Sequence, residues 1–111
     1  MNEIWKDIEG YDGLYQVSNK GNVRRYRKNF RYKYNRYRLL NPFLVEGYLK
    51  VGLYMNGIMQ HKLVHRLVIS EFKGSYEGMQ VNHMNENKKD NRIENLEWVT
   101  AKALIKIDKT D

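Results

Sequence analysis

Val81-Asn82-His83 and, beyond a polar stretch, Asn95-Leu96-Glu97-Trp98-Val99-Thr100 form the segment whose reading decides the fold. Gln80-Val81-Asn82-His83 reads as a short strand that delivers a histidine at its end. Residues 84–97 are polar and rich in asparagine, which tolerates left-handed backbone and hydrogen-bonds to its own main chain, so they read as a loop. Thr100 is placed to cap a last helix from Ala101 to about Ile107. So short a helix survives only by packing, a task that falls to Leu104, Ile105 and Ile107.

Upstream of this segment, Val64, Leu67, Val68 and Phe72 fall on one helical stripe, with Arg66, Ser70 and Lys73 off it, and Gly74 ends the helix. His65, early on this helix, suits packing or capping better than a phosphate contact. Tyr48 to Met55 alternates with Leu49, Val51, Leu53 and Met55 inward. Asn56-Gly57 then signals a hairpin, with Ile58 to Lys62 returning as partner strand and His61 on its surface. Residues 1–23 read as short strands between the turns Gly10-Tyr11-Asp12-Gly13 and Asn19-Lys20-Gly21-Asn22, forming a small antiparallel hairpin. Pro42, the sole proline, marks the joint between two modules, 1–42 and 43–111. The fold class expected is α+β: a small antiparallel β-module, then a second domain of strands and helices.

The chain carries +7, yet the charge is not spread evenly. Residues 1–70 hold 13 Lys/Arg against 5 Asp/Glu, and residues 71–111 hold 7 against 8, so all the excess lies in the first part. Residues 24–38 hold eight basic and five aromatic residues and no acid, largely in a period-two pattern. Tyr26, Phe30, Tyr32 and Tyr34 share one parity, and Arg25, Arg27, Arg31 and Lys33 share the other. With Arg24, Lys28, Arg36, Arg38 and the helical Arg66, these cations form the expected contact set for a polyanion. Cysteine is absent, which excludes disulfides and thiolate-bound zinc. No stretch is long and apolar enough to span a bilayer and no signal pattern opens the chain, so no membrane association and a cytoplasmic location are expected.

His83, Asn95 and the Asn95 to Thr100 closure, with Val64-His65-Arg66-Leu67-Val68, Phe72 and Val81-Asn82-His83 before them, resemble the HNH homing endonucleases of phages and group I introns. Trp5-Lys6-Asp7-Ile8, Gly10-Tyr11, Gly13, Tyr15-Gln16-Val17-Ser18-Asn19 and Gly21 are similar to the modular DNA-binding motif that often precedes such nucleases. The resemblance implies a ββα-metal domain over 43–111 behind a basic, β-rich DNA-binding module over 1–42. It implies that His83 is the general base, that Asn95 fastens the loop so that His83 points correctly, and that Asn82 ligates one divalent ion, Mg²⁺ or Mn²⁺, with no zinc. It also implies double-stranded DNA as partner, gripped by residues 24–38 as a β-ribbon, in the cytoplasm of a bacterial or phage-infected cell.

One position departs from the family pattern, and a second is a weak ligand. The second metal ligand, a His or Asn six residues beyond the tryptophan, is replaced by Leu104, which has no lone pair. Asp108 lies roughly 6 Å further along the helix axis, too far to substitute. Asn82 is a neutral donor, so the expected site holds no protein negative charge. Metal-dependent nicking and a catalytically inactive DNA-binding regulator or inhibitor therefore both stay open, with a protein-partner module as a third class. No C-terminal helical DNA-binding module is expected after Asp111, so target specificity should fall unless the chain forms a homodimer or larger oligomer.

Overall fold

A computed structural model describes residues 2–29 and 34–103. Three antiparallel sheets surround one helix, an α+β architecture as expected. The first sheet orders β1 (Trp5–Asp7), β2 (Tyr15–Ser18), β3 (Val23–Asn29) and β4 (Tyr34–Leu39) as consecutive neighbours. The second orders β5 (Phe43–Val45), β6 (Tyr48–Met55) and β7 (Ile58–Leu63), then α1 (Val64–Lys73) follows directly. The third pairs β8 (Gln80–His83) with β9 (Leu96–Val99), behind a 3-10 turn at Ile93–Asn95.

The Asn56-Gly57 signal is borne out: both residues take positive φ, 53° and 79°, which a tight hairpin needs and which Asn and Gly accept at little cost. The helix is also where periodicity put it. Its buried residues are Val64, His65, Val68 and Ile69, while Leu67 and Phe72 are only partly covered. The loop expected over 84–97 is shorter than the sequence suggested. Leu96–Val99 is a strand, because Leu96 and Val99 each bury their side chain and the backbone finds a partner in β8.

Both halves of the chain build a single core. Ile8, Tyr15, Val17 and Val23 from before Pro42 pack with Val51, Leu53, Val64, Val68, Ile69 and Leu96 from after it. The hydroxyl of buried Tyr15 accepts the Tyr54 N–H at 2.9 Å, linking the first two sheets. Glu71 on α1 accepts the Glu9 N–H at 3.1 Å, and Lys6 lies 4.8 Å from the Phe72 ring while donating to the Glu71 carbonyl. α1 touches β1, β2, β6, β7 and β9, so it is the post around which the sheets are arranged. Thr100 accepts the Ala103 N–H at 3.1 Å, the expected cap; Leu104, Ile105, Ile107 and Asp108 lie outside the described residues.

Candidate active site and nucleic-acid interface

The β8–β9 register opposes Val81 to Trp98, Asn82 to Glu97 and His83 to Leu96. Residues opposed across an antiparallel pair share a face and neighbours along a strand alternate. His83 thus shares the apolar face with fully buried Leu96, while Asn82 and Glu97 share the other. His83 is 6% exposed, and its Nε2 lies 2.8 Å from Asn91 Oδ1. The other ring nitrogen, Nδ1, takes no hydrogen bond from the described residues.

His65 meets the His83 ring edge-on, with centroids 5.1 Å apart. Tyr48 completes the cluster at 5.3 Å from His65 and 6.0 Å from His83, and the Lys88 ammonium lies 4.8 Å from the Tyr48 ring centroid. Burial pushes His65 down to about 4, with the neighbouring His83 and Arg66 adding to the effect, so His65 is neutral at physiological pH. The packing expected of His65 is what the structure shows, and its place against His83 comes from a tertiary contact that helical periodicity does not carry.

Asn95 holds the loop from inside. Its Oδ1 accepts the Asn85 N–H at 2.9 Å, and its Nδ2 donates to Asn85 Oδ1 at 2.9 Å and to the Asp90 carbonyl at 2.8 Å. Its carbonyl accepts the Met84 N–H at 2.9 Å, directly after His83. Asn85 and Asn87 fold the stretch between by accepting N–H groups two residues on, from Asn87 and Lys89. Arg92 grips the Asp90 carboxylate at 2.8 Å and holds it well below the usual carboxylate range. The asparagines found in the sequence thus replace a regular ladder as the scaffold of the loop.

On the opposite face, Asn82 Nδ2 donates to Glu97 Oε1 at 3.0 Å, which leaves the Asn82 oxygen without a protein partner among the described residues. Glu97 was missed by the sequence reading. It is fifteen positions from Asn82, and only the strand register brings its carboxylate alongside. One amide oxygen and one carboxylate are hard donors that fit Mg²⁺ or Mn²⁺, ions that fill out their shells with water and phosphate oxygens. Among the described residues no group of three His, Cys, Asp or Glu is placed to hold a metal.

The basic run folds back on itself. β3 pairs with β4 so that Arg25 opposes Arg38 and Arg27 opposes Arg36, while Tyr26 opposes Tyr37. Antiparallel pairing places Arg36 and Arg38 on the face of Arg25 and Arg27, which a single unbroken parity would not have done. Arg27, Arg36 and Arg38 are exposed and Arg25 is half-buried. Arg24 lies on the other face: its guanidinium sits 4.0 Å from the Trp5 ring and 3.7 Å from the Tyr37 ring, and its Nε and Nη2 both donate to Gln16 Oε1. Arg66 is exposed on α1, 5.9 Å from the Trp98 ring. Arg31, Lys33 and the side chain of Lys28 lie outside the described residues.

Residues 62–104 match the family model for HNH endonuclease, and residues 3–54 match the NUMOD4 motif. Two family models thus match the chain in succession, the NUMOD4 motif first and HNH endonuclease after it. It is similar to DNA endonuclease I-HmuI of Bacillus phage SP01, 40% identical over 102 residues, which is 91% of this chain and 55% of that protein. An uncharacterized HNH endonuclease of Acanthamoeba polyphaga mimivirus is 45% identical over 105 residues, 89% of this chain and 24% of its own. The solved structure of DNA binding and cleavage by the HNH homing endonuclease I-HmuI superimposes with a TM-score of 0.79 at 38% identity, covering 95% of this chain and 57% of that one. The chain thus spans little more than half of the phage endonuclease and about a quarter of the mimivirus protein. Among the described residues no helix is long and apolar enough to cross a membrane.

Proposed function

We propose that this chain binds double-stranded DNA and nicks it by hydrolysis of a phosphodiester bond, with His83 as general base. The observation that carries this reading is the His83 ring, fixed through Nε2 while Nδ1 takes no hydrogen bond from the described residues, beside the asparagine-held loop. Nδ1 takes a proton from water, the resulting hydroxide bonds to phosphorus, and the bond to the leaving sugar oxygen breaks in line, that oxygen taking up a proton from a solvent water. His65, neutral and buried against His83, keeps a second positive charge away from the ring as it becomes protonated. Asn82 and Glu97 are the residues that would hold a single Mg²⁺ or Mn²⁺, which supplies charge neutralisation at the phosphate. Asn95 acts by holding the loop, not by touching substrate.

Arg25, Arg27, Arg36 and Arg38 form the face of a β-ribbon that lies along the duplex and neutralises phosphates, with Lys28, Arg31, Lys33 and Arg66 extending the contact. Arg24 is engaged with Trp5, Tyr37 and Gln16 and serves the ribbon's root. Such a protein works in the cytoplasm of a bacterial or phage-infected cell. A second reading rests on Leu104: a regulator or inhibitor that keeps the grip on DNA and has lost the cut. Supercoiled plasmid with Mg²⁺, Mn²⁺ or EDTA, with His83→Ala alongside, separates the two. Nicking that needs both metal and His83 is the expected result; salt-sensitive duplex binding without nicking establishes the second reading instead.

A further inference from the structure

The turn between β2 and β3 lies against the catalytic loop. Gly21 has φ +90°, and a Cβ built there would meet the Asn91 Cβ and carbonyl oxygen at 3.0 Å. Two residues earlier, the Asn19 carbonyl accepts the Ile93 N–H at 2.8 Å. The same turn is tied internally, because Ser18 Oγ accepts the N–H groups of Lys20 and Asn22 at 3.2 and 3.1 Å. A rigid edge of the N-terminal sheet thus supports residues 91–93.

Asn91 is 4% exposed, its Oδ1 is 2.8 Å from His83 Nε2, and its Nδ2 is buried without a partner. An unpaired buried amide N–H is costly, so an apolar side chain would fill this position more stably if filling were its only purpose. An amide oxygen can only accept a hydrogen bond, so the proton of neutral His83 sits on Nε2 and the lone pair on Nδ1.

We infer that Asn91 is a positioning residue that fixes the proton of His83 on Nε2, and that the Ser18–Asn22 turn of the N-terminal sheet belongs to the catalytic apparatus because it holds Asn91 in place. This rests on His83 being the base. The N-terminal motif then has two separable tasks: its ribbon meets DNA, and its Gly21 turn braces the histidine.

The test is long-range ¹H–¹⁵N correlation of the imidazoles in the full chain, free of metal and DNA, in buffer alkaline enough to keep the rings neutral. Wild type is expected to show His83 protonated at Nε2 alone. Asn91→Leu, with no acceptor, is expected to give a mixture of tautomers, whereas Asn91→Asp, which keeps an oxygen there, retains the Nε2 proton. Gly21→Ala is expected to move His83 toward the mixture while leaving duplex affinity unchanged. An Nδ1-protonated His83 in wild type, or an unaltered tautomer in Asn91→Leu, overturns the inference, and the wild-type spectrum decides even if a variant fails to fold. Where wild type nicks plasmid, Asn91→Leu should lose about 100-fold and Asn91→Asp only a few-fold, as expected when a reacting group is misplaced by about an ångström; equal losses in both overturn it. A wild type that does not nick but keeps the Nε2 tautomer would sink the nuclease reading and leave the positioning intact.

Discussion

Acid should weaken this fold through His65, by an amount the structure sets. An unconstrained histidine titrates near 6.5, while burial against Tyr48 and His83 pushes His65 down to about 4. Above pH 6.5 both the folded and unfolded chains hold His65 neutral, so it contributes nothing to the pH dependence. Between 6.5 and about 4 the unfolded chain binds a proton that the folded chain refuses, and stability falls as the pH falls. The shift spans about two and a half pH units at about 1.4 kcal/mol each, a loss of up to about 3–4 kcal/mol. A small domain has about 5–15 kcal/mol in total, so this is a substantial share. Glu3 and Asp90 also have lowered values, held by Ser18 and Arg92, so they cost stability in the same direction but only as the pH drops through the carboxylate range. Urea unfolding followed by fluorescence of Trp5 and Trp98, from about pH 7.5 to about pH 4.5, reads the wild-type slope. His65→Leu should remove most of it, and the difference between the two curves isolates His65 from the carboxylates. Parallel curves would refute the reasoning, because they would mean that a proton reaches His65 in the folded protein without penalty.

Replacing Arg25, Arg27, Arg36 and Arg38 together with alanine should flatten the log affinity against log salt slope for duplex DNA by about 3 to 4, close to one for each phosphate no longer neutralised. Arg24→Ala should instead lower the melting temperature and leave that slope in place, since its guanidinium is spent on Trp5, Tyr37 and Gln16. Leu104→Asn, which puts an oxygen donor six residues beyond Trp98, should raise Mn²⁺-dependent nicking; no gain would mean that the helix position was misassigned. Tyr15→Phe removes the acceptor of the Tyr54 N–H and should cost about 1–2 kcal/mol in denaturant unfolding, with DNA affinity unchanged.

Local chemistry was legible in the sequence wherever a few neighbouring residues decide the outcome. Asn56-Gly57 forces its turn, the apolar stripe from Val64 to Phe72 forms its helix, Thr100 caps the next one, and Asn95 holds its loop. What escaped was set by contacts distant in the chain. β9 hid inside a polar stretch because four residues gain a strand conformation only from their partner β8. Glu97 became a neighbour of Asn82 through that same pairing, and Asn91 became a partner of His83 through the winding of the loop. Residues 24–38 looked like one strand with two chemical sides; the antiparallel pairing of β3 with β4 puts Arg36 and Arg38 on the side of Arg25 and Arg27. Pro42 looked like a joint, yet side chains from both sides of it fill one interior.

The sandwich of Arg24 between Trp5 and Tyr37 makes the ribbon a lever arm with its pivot at the root. Beyond Arg25, the last residue of β3 paired with β2, the arm extends about 13 Å to Asn29 at the usual rise per residue. A rotation of about 10° at the pivot would sweep its far end by about 2 Å, a good part of the spacing between successive base pairs. Small changes in the two rings and the guanidinium plane stacked at the root would therefore shift where the arginine face falls along a duplex, without altering any residue that touches it.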